Sequence, residues 1–187
     1  MMTKIIEIDY KKTLGLINDL CRQITISDWK PDYIVGISRG GLMPAVYMSH
    51  YFNLPMHTLK VTLRHESEDT ESNLWMAEEA FGYVEQRDRD EDVSWTDFNK
   101  RKNILIVDDI NDTGATFNWI KNDWESGCMG TVATDIWQEI WATNVKFAVL
   151  VNNEASNFKE VTYAAKEINK HQEPSWVVFP WEEWWTR

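Results

Sequence analysis

Apolar residues recur in two rhythms along this chain of 187 residues. Leu14, Ile17, Cys21 and Ile24 return every three or four positions, the spacing of one helix face, and Asp9 or Thr13 is placed to cap that helix. Residues 31–38, PDYIVGIS, are a short continuous apolar run entered through Pro31 and read as a buried strand. After the turn at residues 38–41, Leu42–Phe52 reads as a helix in which Pro44 is tolerated in the first turn. Residues 54–63 predict a second strand and residues 103–109 a third. Residues 116–127 predict a helix with Gly127 just past its end. Residues 145–153 are a fourth strand. The stretch 161–168, VTYAAKEI, fits strand or helix equally, and the run beginning SWVV at Ser175 opens as a strand and stops at Pro180.

Strands that alternate with helices imply an α/β fold: a parallel sheet flanked by helices on both faces. The rhythm fails between residues 64 and 101. There Glu66, Glu68, Asp69, Glu71, Glu78, Glu79, Glu85, Asp88, Asp90, Glu91, Asp92 and Asp97 crowd together. This stretch is expected to be a long, mobile, acidic excursion, with a helix over residues 74–81. No internal repeat or low-complexity segment interrupts the pattern, so residues 1–187 are read as a single domain.

Composition narrows the class. The hydrophobic fraction of 43% and charged fraction of 26% are ordinary for a globular protein. A formal net charge of -11 argues against a protein that grips nucleic-acid backbones by neutralising phosphates. Two cysteines, Cys21 and Cys128, cannot build a disulfide framework, and a reducing cytoplasm is expected. The N-terminal residues lack an apolar leader, and no run approaches the length of a spanning helix, so no membrane partner is expected. Eleven tryptophans are unusual; most are assigned to packing.

The chemistry concentrates in one string, Ile104-Leu105-Ile106-Val107-Asp108-Asp109-Ile110-Asn111-Asp112-Thr113-Gly114-Ala115-Thr116. In a parallel sheet, ligands bind at the carboxyl ends of the strands, which is where Asp108 and Asp109 fall. Gly114 permits a tight turn. The hydroxyls of Thr113 and Thr116 and the amides opening the next helix make an anion cradle suited to phosphate. Carboxylates beside such a cradle suit a ligand that brings sugar hydroxyls or a magnesium ion. The residues alone therefore point to a phosphorylated sugar with a divalent metal. Asp-Asp after a strand can also be a solvated turn, and Asp112 a simple helix cap.

This string resembles the motif of type I phosphoribosyltransferases that binds 5-phosphoribosyl 1-pyrophosphate (PRPP). The resemblance implies that Asp108 and Asp109 face the ribose and Mg2+. It implies that Asp112, Thr113, Gly114, Ala115 and Thr116 wrap the 5′-phosphate, with Asp112 as the catalytic general base. A second match, YIVGISRGGLMPA, resembles the family's pyrophosphate loop, implying contacts from Ser38, Arg39, Gly40 and Gly41 and a cis peptide between Arg39 and Gly40. A third, SWVVFPWE, resembles the base-binding segment of the purine (xanthine-guanine and hypoxanthine) branch. It implies that Trp176 stacks on the base while the backbone of Val177 reads its edge.

Asn152 and Asn153 stand in the turn where that branch carries a lysine, and Asn153 is expected to reach the base. The mobile loop's usual Ser-Tyr pair is absent after residues 57–67, HTLKVTLRHES; Lys60 and Arg64 are candidate pyrophosphate contacts, and His57 and His65 are read as ordinary histidines. The resemblance also implies a small hood from the chain termini, residues 152–187 contributing the base-binding part, and a homodimer or homotetramer. The implied activity joins a nucleobase, a purine by the third match, to PRPP with release of pyrophosphate. A rival reading is a non-catalytic PRPP-binding regulator. The retained Asp112 and Trp176 favour the enzyme, and no helix-turn-helix or basic patch is visible.

Overall fold

The structure is a computed structural model, and it describes residues 3–63, 69–70, 72–84, 95–96, 98–128 and 134–182. In chain order the elements are β1 (Lys4–Glu7), α1 (Tyr10–Ile26), β2 (Tyr33–Ser38), α2 (Leu42–Phe52) and β3 (Met56–Thr62). Next come β4 (Asp69–Thr70), α3 (Leu74–Phe81), β5 (Tyr83–Val84), β6 (Trp95–Thr96) and β7 (Ile104–Asn111). The chain continues through α4 (Ala115–Gly127), α5 (Thr134–Thr143), β8 (Val145–Asn153), β9 (Val161–Ile168) and β10 (Ser175–Val178).

Among the described residues, six strands form the main sheet in the order β4-β3-β2-β7-β8-β9. Five of them run parallel, and only the two-residue β4 is antiparallel at the edge. The apolar runs read from the sequence are continuous because both faces are covered. Along β7, Ile104 and Ile106 enter one core cluster while Leu105 and Val107 enter the other. β8 divides the same way: Val145, Phe147 and Val149 face one cluster, Ala148 and Leu150 the other. Helices α1 and α2 cover the second cluster with Ile17, Leu20, Ala45 and Met48. Helices α3, α4 and α5 cover the first with Phe81, Ile120, Trp124, Ile140 and Trp141.

Asp9 caps α1: its Oδ1 accepts the Lys12 amide at 2.7 Å. Thr13 instead sits buried inside the helix, returning its hydroxyl to the Asp9 carbonyl at 2.9 Å. Gly127 ends α4 from within its last turn, and Cys128 is the cap. The ambiguous stretch 161–168 is strand β9 at the sheet edge, its side chains only partly covered. Helix α5 lies in a stretch for which no element was expected. Within the expected acidic excursion, α3 packs into the core through Met76, Ala77, Ala80 and Phe81. Residues 64–68, 71, 85–94 and 97 of that stretch, with Arg64 and His65, lie outside the described residues.

The two ends of the chain meet apart from the main sheet. β1 pairs in parallel with β10, Ile5 opposite Trp176 and Ile6 opposite Val177. This ribbon is the hood. Cys21 and Cys128 are free and buried in different clusters, and burial pushes each thiol up to about 11.

Candidate active site

Strand order fixes where a ligand can enter. From β2 the chain crosses to β3 on one side, then returns to place β7 on the other. The reversal between β2 and β7 is the switch point at which such sheets open a crevice beyond their carboxyl ends. β2 and β7 pair only as far as Gly36 opposite Val107. β7 then continues alone beside β8, through Ile110 opposite Val151 and Asn111 opposite Asn152. Asp108 and Asp109 therefore lie on the strand itself, at its splayed end, rather than in a turn.

The two expected loops flank this crevice. Residues 38–41 lead from β2 into α2, and residues 112–114 lead from β7 into α4. Neither helix has a side-chain cap at its start, where Gly41 and Gly114 stand. Two positive helix ends thus point toward the same edge of the sheet, which favours anions in an otherwise acidic protein. The first loop touches the end of β7: a Cβ on Gly40 would collide with the Asp109 carboxylate. The Asp109 amide in turn donates to Oδ1 of Asp108 at 2.9 Å. The cis peptide of the first loop joins Ser38 to Arg39, one bond earlier than the Arg39–Gly40 bond expected from the resemblance. Arg39 is exposed, and Lys60 stands beside Ser38 on β3.

A buried polar floor supports the second loop. Asn111, 2% exposed, donates to Asn152 Oδ1 at 2.8 Å and to the Phe158 carbonyl at 3.1 Å. Its own Oδ1 accepts the Ser156 hydroxyl at 2.9 Å. The Asn157 amide reaches the Thr113 carbonyl at 3.0 Å. Gly114 sits at φ 87°, and a Cβ there would strike the Phe158 amide. The Thr113 hydroxyl accepts the Ala115 amide at 3.3 Å, and Thr116 lies in the first turn of α4.

The hood closes the other end. Trp176 is 52% exposed on β10, whereas Val177 is buried beneath it. Asn153 is buried and engaged with the protein: Nδ2 donates to the Asp112 carbonyl at 2.8 Å, and Oδ1 accepts the Ala155 and Lys170 amides at 3.1 and 3.0 Å. It grips the loop from below, and its neighbour Asn152 is held by Asn111. A residue with no motif to announce it completes this end. The Lys170 ammonium pairs with Asp112 Oδ1 at 2.8 Å and lies 5.7 Å from the Trp176 ring centre.

A sequence profile for the phosphoribosyl transferase domain matches residues 8–122, more than half the chain. The chain belongs to the phosphoribosyl transferase family. This phosphoribosyltransferase is similar in fold to the purine phosphoribosyltransferase of Pyrococcus horikoshii Ot3, at 23% identity and a TM-score of 0.62. That match covers 96% of this chain and 95% of the other. It is also similar to the xanthine-guanine-hypoxanthine phosphoribosyltransferase of Helicobacter pylori, at 16% identity and a TM-score of 0.63 over 97% and 96% of the two chains. A hypothetical protein of Neisseria gonorrhoeae, solved with bound ppGpp, matches at 16% identity and a TM-score of 0.57, covering 97% and 91%. At these identities the likeness is one of fold. Among curated protein sequences none matches.

Among the described residues no group of three or more histidines, cysteines or acids is arranged to hold a metal, and no helix is long and apolar enough to cross a membrane. Magnesium bound with a polyphosphate needs only one or two carboxylates, the substrate supplying its other oxygens. Asp108 and Asp109, partly exposed at the end of β7, fit a metal carried in that way.

Proposed function

We propose that this phosphoribosyltransferase is a magnesium-dependent enzyme that joins a purine base to C1 of PRPP and releases pyrophosphate. The observation that carries this reading is the contact of Gly40 with Asp109 across the β2–β7 switch point. It sets the loop assigned here to pyrophosphate directly against a carboxylate assigned here to the ribose, which supports a shared site at this sheet edge.

In this reading Thr113, Gly114, Ala115 and Thr116 hold the 5′-phosphate on backbone amides and hydroxyls. Asp108 and Asp109 face the ribose hydroxyls. Ser38, Arg39, Gly40 and Gly41 take the pyrophosphate. Asp108 and Asp109 would hold magnesium, which would supply charge neutralisation at the leaving group. As the bond from C1 to the pyrophosphate oxygen breaks, positive charge grows at C1, and the same carboxylates lie on the side where they stabilise it. The base nitrogen closes on C1 with its lone pair and gives its proton to Asp112. The exposed face of Trp176 supports stacking of the base, and the buried Val177 presents its backbone at the hood. Within residues 152–187 the base-binding part is assigned to β10, which forms the hood with β1, whereas β9 belongs to the main sheet. The enzyme works in the cytoplasm as a homodimer or homotetramer, an assembly that light scattering tests directly.

Replacing Asp112 with Asn tests the chemistry. It keeps the shape of the side chain and removes the proton acceptor. Turnover of PRPP with purine bases should fall about 100-fold or more, while PRPP affinity measured by calorimetry changes little. Equal losses in the two measurements would remove Asp112 from proton transfer.

A further inference from the structure

The geometry points to Asn153 as a positioning residue that fixes the distance between the phosphate end and the base end of the crevice. It acts through the chain segments it holds rather than through a ligand. The inference rests on the transferase reading above. Expected from the sequence to reach the base, the Asn153 amide is instead turned into the protein, 6% exposed. It ends β8 and binds three separate places on the main chain. Nδ2 donates to the Asp112 carbonyl at 2.8 Å, where the loop assigned to the 5′-phosphate begins. Oδ1 accepts the Ala155 amide at 3.1 Å and the Lys170 amide at 3.0 Å. Lys170 lies in the turn between β9 and β10. That turn is tied onward to the hood: the Asn169 carbonyl accepts the Glu173 amide at 2.9 Å, and the Pro174 carbonyl accepts the Lys4 amide of β1 at 3.0 Å.

A carboxamide suits this task. Its oxygen has two lone pairs for two amides, and its nitrogen brings a donor for a carbonyl. The Lys170 ammonium also reaches Asp112 Oδ1 at 2.8 Å, but those side chains are 17% and 27% exposed, and a lysine side chain can shift without moving the backbone. The bonds of Asn153 lie deeper and hold main chain to main chain. The distance they set matters because a nucleotide has a fixed reach. Its phosphate must fill the loop while its base lies at the hood, and a misplacement of about 1 Å can cost about 100-fold in rate. A ligand that fills one end alone does not sense the spacing.

The test compares a ligand that spans the crevice with one that does not. Titration calorimetry is run on the wild type, Asn153→Ala and Asn153→Asp. The short ligand is ribose 5-phosphate. The long one is whichever of inosine, guanosine and adenosine 5′-monophosphate the wild type binds most tightly. The wild type should prefer the nucleotide strongly. Asn153→Ala should lose about 10-fold or more of that preference, while ribose 5-phosphate affinity stays within about 2-fold. Asn153→Asp keeps the shape and the acceptor for the residue 155 and 170 amides, but lacks the donor to the Asp112 carbonyl. It should lose the preference as well. In both variants kcat with PRPP and a purine base should fall, and KM for PRPP should hold. Equal losses for the two ligands, or an unchanged preference in either variant, would overturn the inference. Loss of the thermal unfolding transition in both variants would make Asn153 a support of the fold, and would overturn it too. A wild type that binds both ligands equally would overturn the inference and leave the transferase standing. A wild type that binds neither would overturn the reading beneath it.

Discussion

Gly40 and Gly15 form a natural controlled pair. Both lack a side chain, but for different reasons. At Gly40 a methyl group would collide with the Asp109 carboxylate, a group fixed at the end of a core strand. At Gly15, inside α1, a methyl group would meet nothing within 4 Å. Gly40→Ala should therefore push the loop at residues 38–41, the proposed pyrophosphate loop, off the crevice, raising KM for PRPP by about 10-fold or more at little change in melting temperature. Gly15→Ala should stabilise the protein by about 0.5–1 kcal/mol, because alanine loses less backbone freedom in a helix. Thermal melts and PRPP kinetics on the two variants separate these outcomes. A Gly40→Ala enzyme with unchanged KM would mean that the loop and Asp109 do not act together. The motif at residues 38–41 already sets Gly40 apart from Gly15 in the sequence; the packing of Asp109 against residue 40 supplies the physical reason.

Elements differ in how openly the sequence declares them, and the cause is where their partners lie. β2, α2 and β7 were legible because their signals are local: an apolar run, a glycine turn, a helix start. Helix α2 begins and ends where the pattern put it. β1 was not legible, since its four residues gain their order from β10 at the far end of the chain. β9 was ambiguous because an edge strand is covered too thinly to show clean alternation. Helix α5 did leave a signal: Ile136, Trp137, Ile140 and Trp141 are spaced for one face, and three of them are buried in the core. The candidate site divides likewise. The residues proposed for phosphate and ribose stand in contiguous motifs. Lys170 and the floor residues Asn111 and Ser156 come from separate segments and meet only in three dimensions. That floor makes its own prediction. Asn111→Ala strands the Ser156 hydroxyl and the Phe158 carbonyl under the phosphate loop. It should cost about 1–3 kcal/mol in urea unfolding and raise KM for PRPP with a smaller effect on kcat. A loss of stability without any change in KM would detach the floor from the loop it supports.

At the scale of the whole molecule the sign of the charge appears wrong for the proposed substrate. The chain carries a formal net charge of -11, and PRPP is a polyanion. The local site differs: two uncapped helix starts at one sheet edge, with Arg39 exposed beside them, offset the carboxylates of Asp108 and Asp109. These two fields act over different distances. Helix-end potentials fall off within a turn, whereas net charge acts out to the Debye length, about 30 Å at about 10 mM salt and about 8 Å at about 150 mM. Added monovalent salt therefore removes the distant repulsion before it weakens the close attraction. The association rate of PRPP at fixed saturating magnesium should rise a few-fold across that salt range, the reverse of ordinary electrostatic steering. Stopped-flow binding at a series of salt concentrations measures it. A rate that falls with salt would mean that the incoming substrate senses a positive approach, and that the acidic surface is turned away from the crevice.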